Sequence, residues 1–365
     1  MDSDEKSKGI ERQRSATPAL EAMETAKEQT STPVESVSQL RQRALEHLKA
    51  HHWLQAGETF SALLVLDEKD EEALLGLAEV LDRIDHYESL YETAQHILES
   101  NASSAYGLAF KARALQKLER LSEATIANDQ ALLLDTHLPL AWINRSGLQL
   151  LQQKFPEALR SAQRATELAP NDERAWANKG VALLNFNHPL EAIVMFDRAL
   201  EIDPNHLFSL HMKSEILLKL GRLRDAVPVI RHALSIDPHS VIMLTQGVQV
   251  LRALEEHEAM QEKAKELTVL TPDSLFAWEN YMRGLRGMGR YEEALPALDR
   301  VLELDGSNVR FWTLKADTLY RLERYREAAK VAEHAVRLYS DFPPARRIRE
   351  KAVRMMYQRK NKKNS

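Results

Sequence analysis

Four prolines of the chain recur at intervals of 34 residues, at Pro170, Pro204, Pro238 and Pro272. The first three lie in the similar stretches ATELAPN, ALEIDPN and ALSIDPH, in which helix-forming residues precede the proline and one residue follows it. A repeat of this length is typical of chains in which one supersecondary unit stacks on copies of itself. Proline cannot continue a helix but suits the first turn of the next one, so each proline marks a junction between units.

Small side chains follow the same register. In the unit that contains Trp176, Gly180 comes four residues later, and Ala192 and Ala199 follow in the second half. A spacing of four places the large and the small residue on one side of a helix, where the small residue allows another helix to approach closely. The pattern therefore predicts packed helices.

Each unit is predicted to contain two amphipathic helices. The break between them falls at Asn187, Gly221 and Gly289, because these residue types tolerate the positive φ of a helix end. The register extends without insertion over residues 37–342 and gives nine units. They begin at Val37, Glu71, Ala105, Pro139, Glu173, Leu207, Val241, Leu275 and Val309.

With Trp176, Gly180, Ala192, Ala199 and Pro204 in order, the chain resembles the tetratricopeptide repeat family. The resemblance covers all nine units and implies an all-α fold, a right-handed superhelix of stacked hairpins whose first helices line a concave groove. The unit from Val241 departs from the pattern at Val248 and Met260, and Pro228 and Pro296 fall within second helices. We expect looser packing in that unit and a delayed or bent start of the two proline-containing helices.

Outside the repeats, the two ends of the chain differ in composition. The first 36 residues are polar and lack aromatic residues, which predicts a disordered arm. In residues 343–359, Ile348, Ala352 and Met355 share one helical face, which predicts a capping helix for the last apolar surface of the array. The predicted divisions are an arm (1–36), nine repeats (37–70, 71–104, 105–138, 139–172, 173–206, 207–240, 241–274, 275–308 and 309–342), a basic capping helix (343–359) and a disordered tail (360–365).

No catalytic or cofactor-binding pattern is present in the sequence. The chain has no cysteine, which excludes disulfides, thiolate metal sites and a cysteine nucleophile. The glycines Gly284, Gly287 and Gly289 lack the spacing and the preceding strand of a dinucleotide loop. His47 and His51 are spaced to chelate a metal on a helix, but no third ligand is apparent, which favours solvated histidines. We expect no enzyme activity, no metal and no cofactor.

The sequence also carries no targeting signal. The N-terminus alternates charges and has no apolar segment of the kind that secretion requires, and no run approaches 18 apolar residues. A cytoplasmic protein is therefore expected.

The predicted working surface is the groove. If the first helices line it as in the family, its wall contains apolar residues, three asparagines suited to a peptide backbone, and arginines suited to carboxylates. This composition predicts a protein or peptide ligand, with an acidic part toward the arginines. The candidate residues are Leu140, Ile143, Asn144, Asn178, Val181, Phe208, Met212, Asn280, Arg283, Arg286 and Arg310.

Several alternatives stay open at this point. The apolar groove residues could instead be core, and the arginines could form solvated ion pairs. The clamp by which some relatives hold the acidic end of heat-shock chaperones is not supported, because Ile143, Phe208 and Met212 stand where it needs polar or basic residues. The basic C-terminal helix could contact nucleic acid or an anionic membrane, and the array could recruit substrates for an enzyme on another chain. The oligomeric state and the identity of the partner are left open.

Overall fold

The computed structural model describes residues 36–363, with side chains up to residue 358. The predicted disorder of residues 1–35 lies outside the described residues, as do residues 364 and 365. Within the described part the fold contains helices and no strand, and the predicted all-α fold is confirmed. The chain divides into two compact units at Met195 and Phe196. Unit 1 denotes the described residues up to Met195, and unit 2 those from Phe196 onward.

The described helices form pairs in which each first helix has 13 residues and each second helix has 14. Every first helix begins at a residue where the 34-residue register begins a unit. The helices are α1 (Val37–Lys49), α2 (Trp53–Leu66), α3 (Glu71–Arg83), α4 (Tyr87–Ser100), α5 (Ala105–Lys117), α6 (Leu121–Leu134), α7 (Pro139–Leu151), α8 (Phe155–Leu168), α9 (Glu173–Asn185), α10 (Pro189–Ile202), α11 (Leu207–Lys219), α12 (Leu223–Ile236), α13 (Val241–Ala253), α14 (His257–Leu270), α15 (Leu275–Gly287), α16 (Tyr291–Leu304), α17 (Val309–Arg321), α18 (Tyr325–Leu338) and α19 (Pro343–Lys363).

The last helix, α19, is longer than predicted. It continues to Lys363, so the expected boundary between a cap ending at residue 359 and a disordered tail is wrong. The physical reason is that Lys360, Asn361 and Lys362 include neither proline nor glycine, and lysine is a good helix former.

The turn inside each described pair contains one residue in the left-handed region. The predicted breaks at Asn187, Gly221 and Gly289 are confirmed, with φ of 60°, 69° and 74°. In the turn at Gly221, its N–H donates to the Leu218 carbonyl and the next N–H donates to the Leu217 carbonyl, which satisfies the end of α11. Six non-glycine residues with φ of 58–62° occupy the same position in the other pairs: His51, Asp85, Glu119, Gln153, Glu255 and Glu323.

Small residues bring the helices together as the pattern predicts. Ala78, Ala124, Ala158, Ala226 and Ala294 have no exposed surface, and they lie at repeated positions in the pairs. The expected looser packing of the pair from Val241 stays a prediction, although its larger residues are buried in a cluster. Val248, Met260 and Ala264 form that cluster, and at most 2% of any of them is exposed.

The helices that contain Pro228 and Pro296 start at the same point as the others. The expectation of a delayed start is therefore wrong. Both prolines are the sixth residue of their helix and are exposed, so the carbonyl that loses its helical partner lies near the helix start, on a side that water can reach.

Four tryptophans join a first helix to the turn before it. The indole N–H of Trp142, Trp176, Trp278 and Trp312 donates to the carbonyl oxygen six residues earlier, at 2.8–2.9 Å. In two cases that carbonyl belongs to a periodic proline, Pro170 or Pro272. These rings are half-buried rather than fully buried.

Replacing Ala192 with leucine is expected to lower the free energy of unfolding by about 1–3 kcal/mol, because Ala192 is fully buried and the added atoms would overpack the site. Denaturant unfolding followed by circular dichroism measures the change. Val194→Leu on the same helix is the matched control, since Val194 is exposed and should shift stability by less than about 0.5 kcal/mol. Equal effects of the two substitutions would contradict the assigned packing.

Candidate protein-binding surface

The first helices of successive pairs lie side by side within each unit. In unit 1, α3 contacts α5, α5 contacts α7 and α7 contacts α9, while in unit 2 α11 contacts α13 and α13 contacts α15. Within each unit the first helices therefore form a layer, and the side chains on its outer surface are the ones that a groove would present.

In unit 1, that surface is crossed by a buried ion-pair network, which we name the clasp. It joins the end of α3 to the start of α9, although α5 and α7 lie between these helices in the layer. Arg174 contacts Asp82 at 2.5 Å and Asp172 at 2.7 Å, and Arg83 contacts Glu173 at 2.5 Å. Because side chains of α3 and α9 meet, the layer curves toward this side. The clasp consists of Asp82, Arg83, Arg113, Asp172, Glu173 and Arg174.

The clasp is satisfied electrostatically. Arg113 from α5 donates to the second oxygen of Asp82 at 2.8 Å. Burial alone would raise the pKa of Asp82, but the charges and hydrogen bonds of Arg113 and Arg174 lower it overall. Burial likewise opposes ionisation of Asp172, yet the pKa of that carboxyl falls to about 2, chiefly through Arg174. Both carboxylates therefore stay ionised at neutral pH.

Helix ends add to the clasp. Asp172 is the N-cap of α9 and accepts a hydrogen bond from the Arg174 backbone N–H at 2.9 Å. Acidic residues at the start of α9 and Arg83 at the end of α3 both have the sign that the helix dipole favours. Sequence reasoning missed the clasp, because no local pattern connects residues that are 90 positions apart.

Three of the predicted groove residues lie inside unit 1 rather than on its surface. Leu140 belongs to a buried cluster that includes Leu81 of α3 and Phe110 of α5, and Ile143 is also buried. The Asn144 amide donates to the Ala109 carbonyl at 2.8 Å. The prediction that these three residues face a ligand is therefore wrong, and the alternative that they are core is correct.

Asn178 and Val181 in α9 are half-buried. The Asn178 amide donates to the Ile143 carbonyl at 3.1 Å and to the Ser146 hydroxyl at 2.8 Å. Since both of its N–H groups are directed at the neighbouring helix, this asparagine ties α9 to α7. It is not free to pair with a peptide backbone through its N–H groups.

Unit 2 presents a different surface. Phe208 at the start of α11 is 45% exposed, and Ile242 at the start of α13 is 54% exposed. Met212, four residues after Phe208 in α11, is half-buried. In the described part of unit 2, each ion pair of a first helix joins residues of the same helix pair or of two neighbouring helix pairs. No clasp of the unit 1 type crosses this surface.

The predicted asparagine of unit 2, Asn280, is fully buried. Its amide donates to the Phe276 carbonyl one turn earlier at 2.8 Å, and its side-chain oxygen has no partner. The expectation that Asn280 binds a ligand backbone is therefore wrong, because the side chain points into the layer.

The arginines of unit 2 fall into two groups, of which the first is paired. Arg283 contacts Glu279 at 2.6 Å, and Arg286 contacts Asp317 at 2.8 Å and the Leu314 carbonyl at 2.7 Å. Burial lowers the pKa of Arg286 although Asp317 opposes this, and only 15% of its side chain is exposed. Arg286 is therefore a link between α15 and α17, whereas Arg283 remains half-exposed.

The second group has no acidic partner among the described residues. Arg310 begins α17 and is exposed, and its side chain makes no described contact. Arg252 at the end of α13 is exposed and lies 6.0 Å from the centre of the Phe276 ring, a cation–π contact that leaves its charge uncompensated. Arg252 is not among the site residues predicted from the sequence, because the lack of an acidic partner among the described residues is visible only in the structure.

The paired helices, with the residue in the left-handed region inside each pair, define an α-helical repeat protein. Two models of the family described as Tetratricopeptide repeat match the chain, one over residues 148–206 and 283–343 and the other over residues 209–240. The chain belongs to the tetratricopeptide repeat proteins, as its sequence pattern predicted.

Two solved structures with the same fold are instructive. PilF of Pseudomonas aeruginosa is 21% identical with a TM-score of 0.50, over 58% of this chain and 96% of its own. The Cut9–Hcn1 hetero-tetramer of the APC/C contains a chain that is 14% identical with a TM-score of 0.52, over 92% of this chain and 67% of its own. At these identities the likeness concerns the fold alone. No curated protein matches the chain.

Two further observations concern residues 36–363. Within this range no helix is long and apolar enough to cross a bilayer. The same range holds no cluster of three or more His, Asp or Glu side chains that could bind a metal ion. The rings of His47 and His52 lie 5.9 Å apart, and His51 stacks on Trp53 instead of joining them.

Proposed function

We propose that the chain is a non-enzymatic scaffold that binds a segment of a partner protein on the outer surface of the first-helix layer of unit 2. The observation that carries the proposal is that the first helices of unit 2 carry both exposed apolar side chains, Phe208 and Ile242, and exposed arginines without an acidic partner among the described residues, Arg252 and Arg310. Exposed apolar groups beside charged ones are typical of interaction sites. One of the similar solved chains belongs to the Cut9–Hcn1 hetero-tetramer, so protein assembly is a use to which this fold is suited.

The surface favours a ligand with two parts. An apolar part would contact Phe208, Met212 and Ile242. An acidic part would contact Arg252, Arg283 and Arg310, since a guanidinium pairs well with a carboxylate and a bound ligand would exclude water from both. Arg283 already holds Glu279, so a ligand carboxylate would have to share or displace that contact.

Selection from a phage-displayed peptide library tests the proposal without a known partner. Peptides that combine acidic and apolar residues are expected to be enriched on the full chain. For a selected peptide, Phe208→Ala is expected to weaken binding by about 1–2 kcal/mol, as removal of an apolar anchor does. Arg252→Gln and Arg310→Gln together should weaken binding mainly at low salt. Fluorescence anisotropy of the labelled peptide measures both effects.

The matched control is Leu133→Ala, which removes an exposed apolar side chain from α6 in unit 1. This variant should leave peptide affinity unchanged. If Phe208→Ala and the double variant of Arg252 and Arg310 bind the selected peptides as well as the unmodified chain does, the outer surface of the first-helix layer of unit 2 is not the binding site.

A further inference from the structure

The C-terminal helix α19 uses its apolar side to cover the last pair. Ile348 packs with Ala316 and Ala332, and Ala352 packs with Leu319 and Ala328. Since these contacts occupy the apolar side of α19, its opposite side faces solvent. This sets which of the described side chains of the helix, up to residue 358, face away from the last pair.

The outward side carries a row of three cations, Arg347, Lys351 and Arg354, which we name the basic row. They are spaced by four and three residues, so they lie on one face of the helix. All three are exposed, and none has an ion pair, hydrogen bond or ring contact among the described residues. Their neighbours differ, because Arg346 bonds Ser340 and Asp341, and Arg349 contacts Glu333 at 2.9 Å.

The basic row is part of a longer charged segment. Residues 343–363 contain nine Lys or Arg and one acid, Glu350, which lies beside the row without forming an ion pair. Four of these bases follow the described side chains, at Arg359, Lys360, Lys362 and Lys363, on a helix that continues to Lys363. At 1.5 Å per residue, the stretch from Arg347 to Lys363 is about 24 Å long.

We propose that α19 binds the phosphate backbone of single-stranded nucleic acid along the basic row. Free cations in a line match a polymer of phosphates, and Tyr357, which is 58% exposed one turn beyond Arg354, offers a ring on which a base can stack. Insertion into a membrane would need an exposed apolar side, which α19 has already buried. An acidic protein partner would usually bring an apolar contact area, and none of the apolar residues between Arg347 and Arg354 is exposed, since Ile348 and Ala352 are buried and Val353 is half-buried.

Anisotropy titrations of a labelled 20-nucleotide oligouridylate with the full chain test this proposal. Changing Arg347, Lys351 and Arg354 together to glutamine is expected to weaken binding at least tenfold at low salt. The same change should reduce the slope of log K against log salt by about 2, the share of three phosphate contacts on a single strand. Tyr357→Ala should weaken binding about tenfold with the salt slope unchanged, because stacking releases no counterions.

A control variant removes equal charge elsewhere, by changing Arg160, Arg164 and Arg198 to glutamine; their side chains are 71%, 38% and 58% exposed, and each is ion-paired to Glu. It should bind as the unmodified chain does. An equal loss in both triple variants would show general charge attraction and overturn the proposal. So would the absence of binding, or binding to phosphatidylserine vesicles without binding to RNA. Unchanged thermal midpoints are expected for all variants, since every substituted side chain is exposed.

Discussion

Replacing Arg174 with methionine is expected to lower the free energy of unfolding by about 3–5 kcal/mol, the usual cost of removing one partner from a buried ion pair. The guanidinium of Arg174 contacts Asp82 at 2.5 Å and Asp172 at 2.7 Å, and both carboxylates would remain buried without it. Arg113 would still pair with Asp82, and Arg83 lies 3.9 Å from Asp172, which is too far to replace the lost bonds. Denaturant unfolding measures the loss, and amide hydrogen exchange locates it in α3 and α9.

The control for this experiment is Arg160→Met, which breaks an exposed pair with Glu157 within one helix. Exposed pairs contribute little, so the expected change is below about 1 kcal/mol. If the two variants lose the same stability, or if exchange in α3 and α9 is unaffected by Arg174→Met, the clasp does not hold these helices together.

The clasp also predicts how stability depends on pH. The pKa of Asp172 is lowered to about 2 in the folded chain, whereas an unfolded aspartate titrates near 3.9. A lowered pKa means that the contribution is fully present above about pH 4 and is lost as pH falls toward 2. We therefore expect the stability difference between the unmodified chain and Arg174→Met to shrink over this range.

The clasp and the proposed binding surface would give the two units different roles. In unit 1, the side chains that curve the layer are paired with one another, so a ligand would have to break buried ion pairs in order to reach the first helices. In unit 2, the comparable surface carries exposed apolar groups and uncompensated arginines. The same repeat can thus be used for structure in one part of a chain and offered to a partner in another, because the surface positions of each pair vary independently of the small packing positions.

The period and the small residues sufficed to predict the helices. Ala78, Ala158 and Ala294 report on contacts between neighbouring helices, which are local in sequence and recur at a fixed spacing. The turn at Glu255 has no glycine or asparagine to announce it, yet it takes the same left-handed φ because α13 must end at the same place as its counterparts. Repetition therefore supplied information that the single turn lacks.

The candidate site was predicted less well, for a different reason. Asn144 and Asn280 suit a ligand backbone by residue type, but whether an amide faces solvent or the next helix depends on the rotation of the helix about its axis. That rotation is set by packing against helices on both sides. Contacts such as Arg174 with Asp82 depend in addition on the curvature summed over the three steps from the helix pair of α3 to that of α9. No local sequence pattern records this curvature.

Changing Gly284 to leucine is expected to destabilise the chain by about 3 kcal/mol, because α15 lies against the backbone of α14 at this glycine. A Cβ at position 284 would lie 2.6 Å from Cβ and 2.9 Å from Cα of Gln261, and 2.9 Å from the His257 carbonyl oxygen. Two of these atoms belong to the backbone, so a rotamer change cannot relieve the clash and α14 must shift. Gly284→Ala should already cost about 1–2 kcal/mol, despite the better helix propensity of alanine. Thermal and denaturant unfolding measure both variants.

Gly247→Ala is the matched control, since Gly247 is also buried within a first helix of unit 2, in α13. A Cβ there would meet only a methyl group of Ile230, at the ordinary contact distance of 3.4 Å. With no clash, the gain in helix propensity dominates, and this substitution should stabilise the chain by up to about 1 kcal/mol. The two alanine substitutions should therefore change stability in opposite directions. If Gly284→Ala also stabilises the chain, the close approach of α14 and α15 is not what requires glycine at position 284.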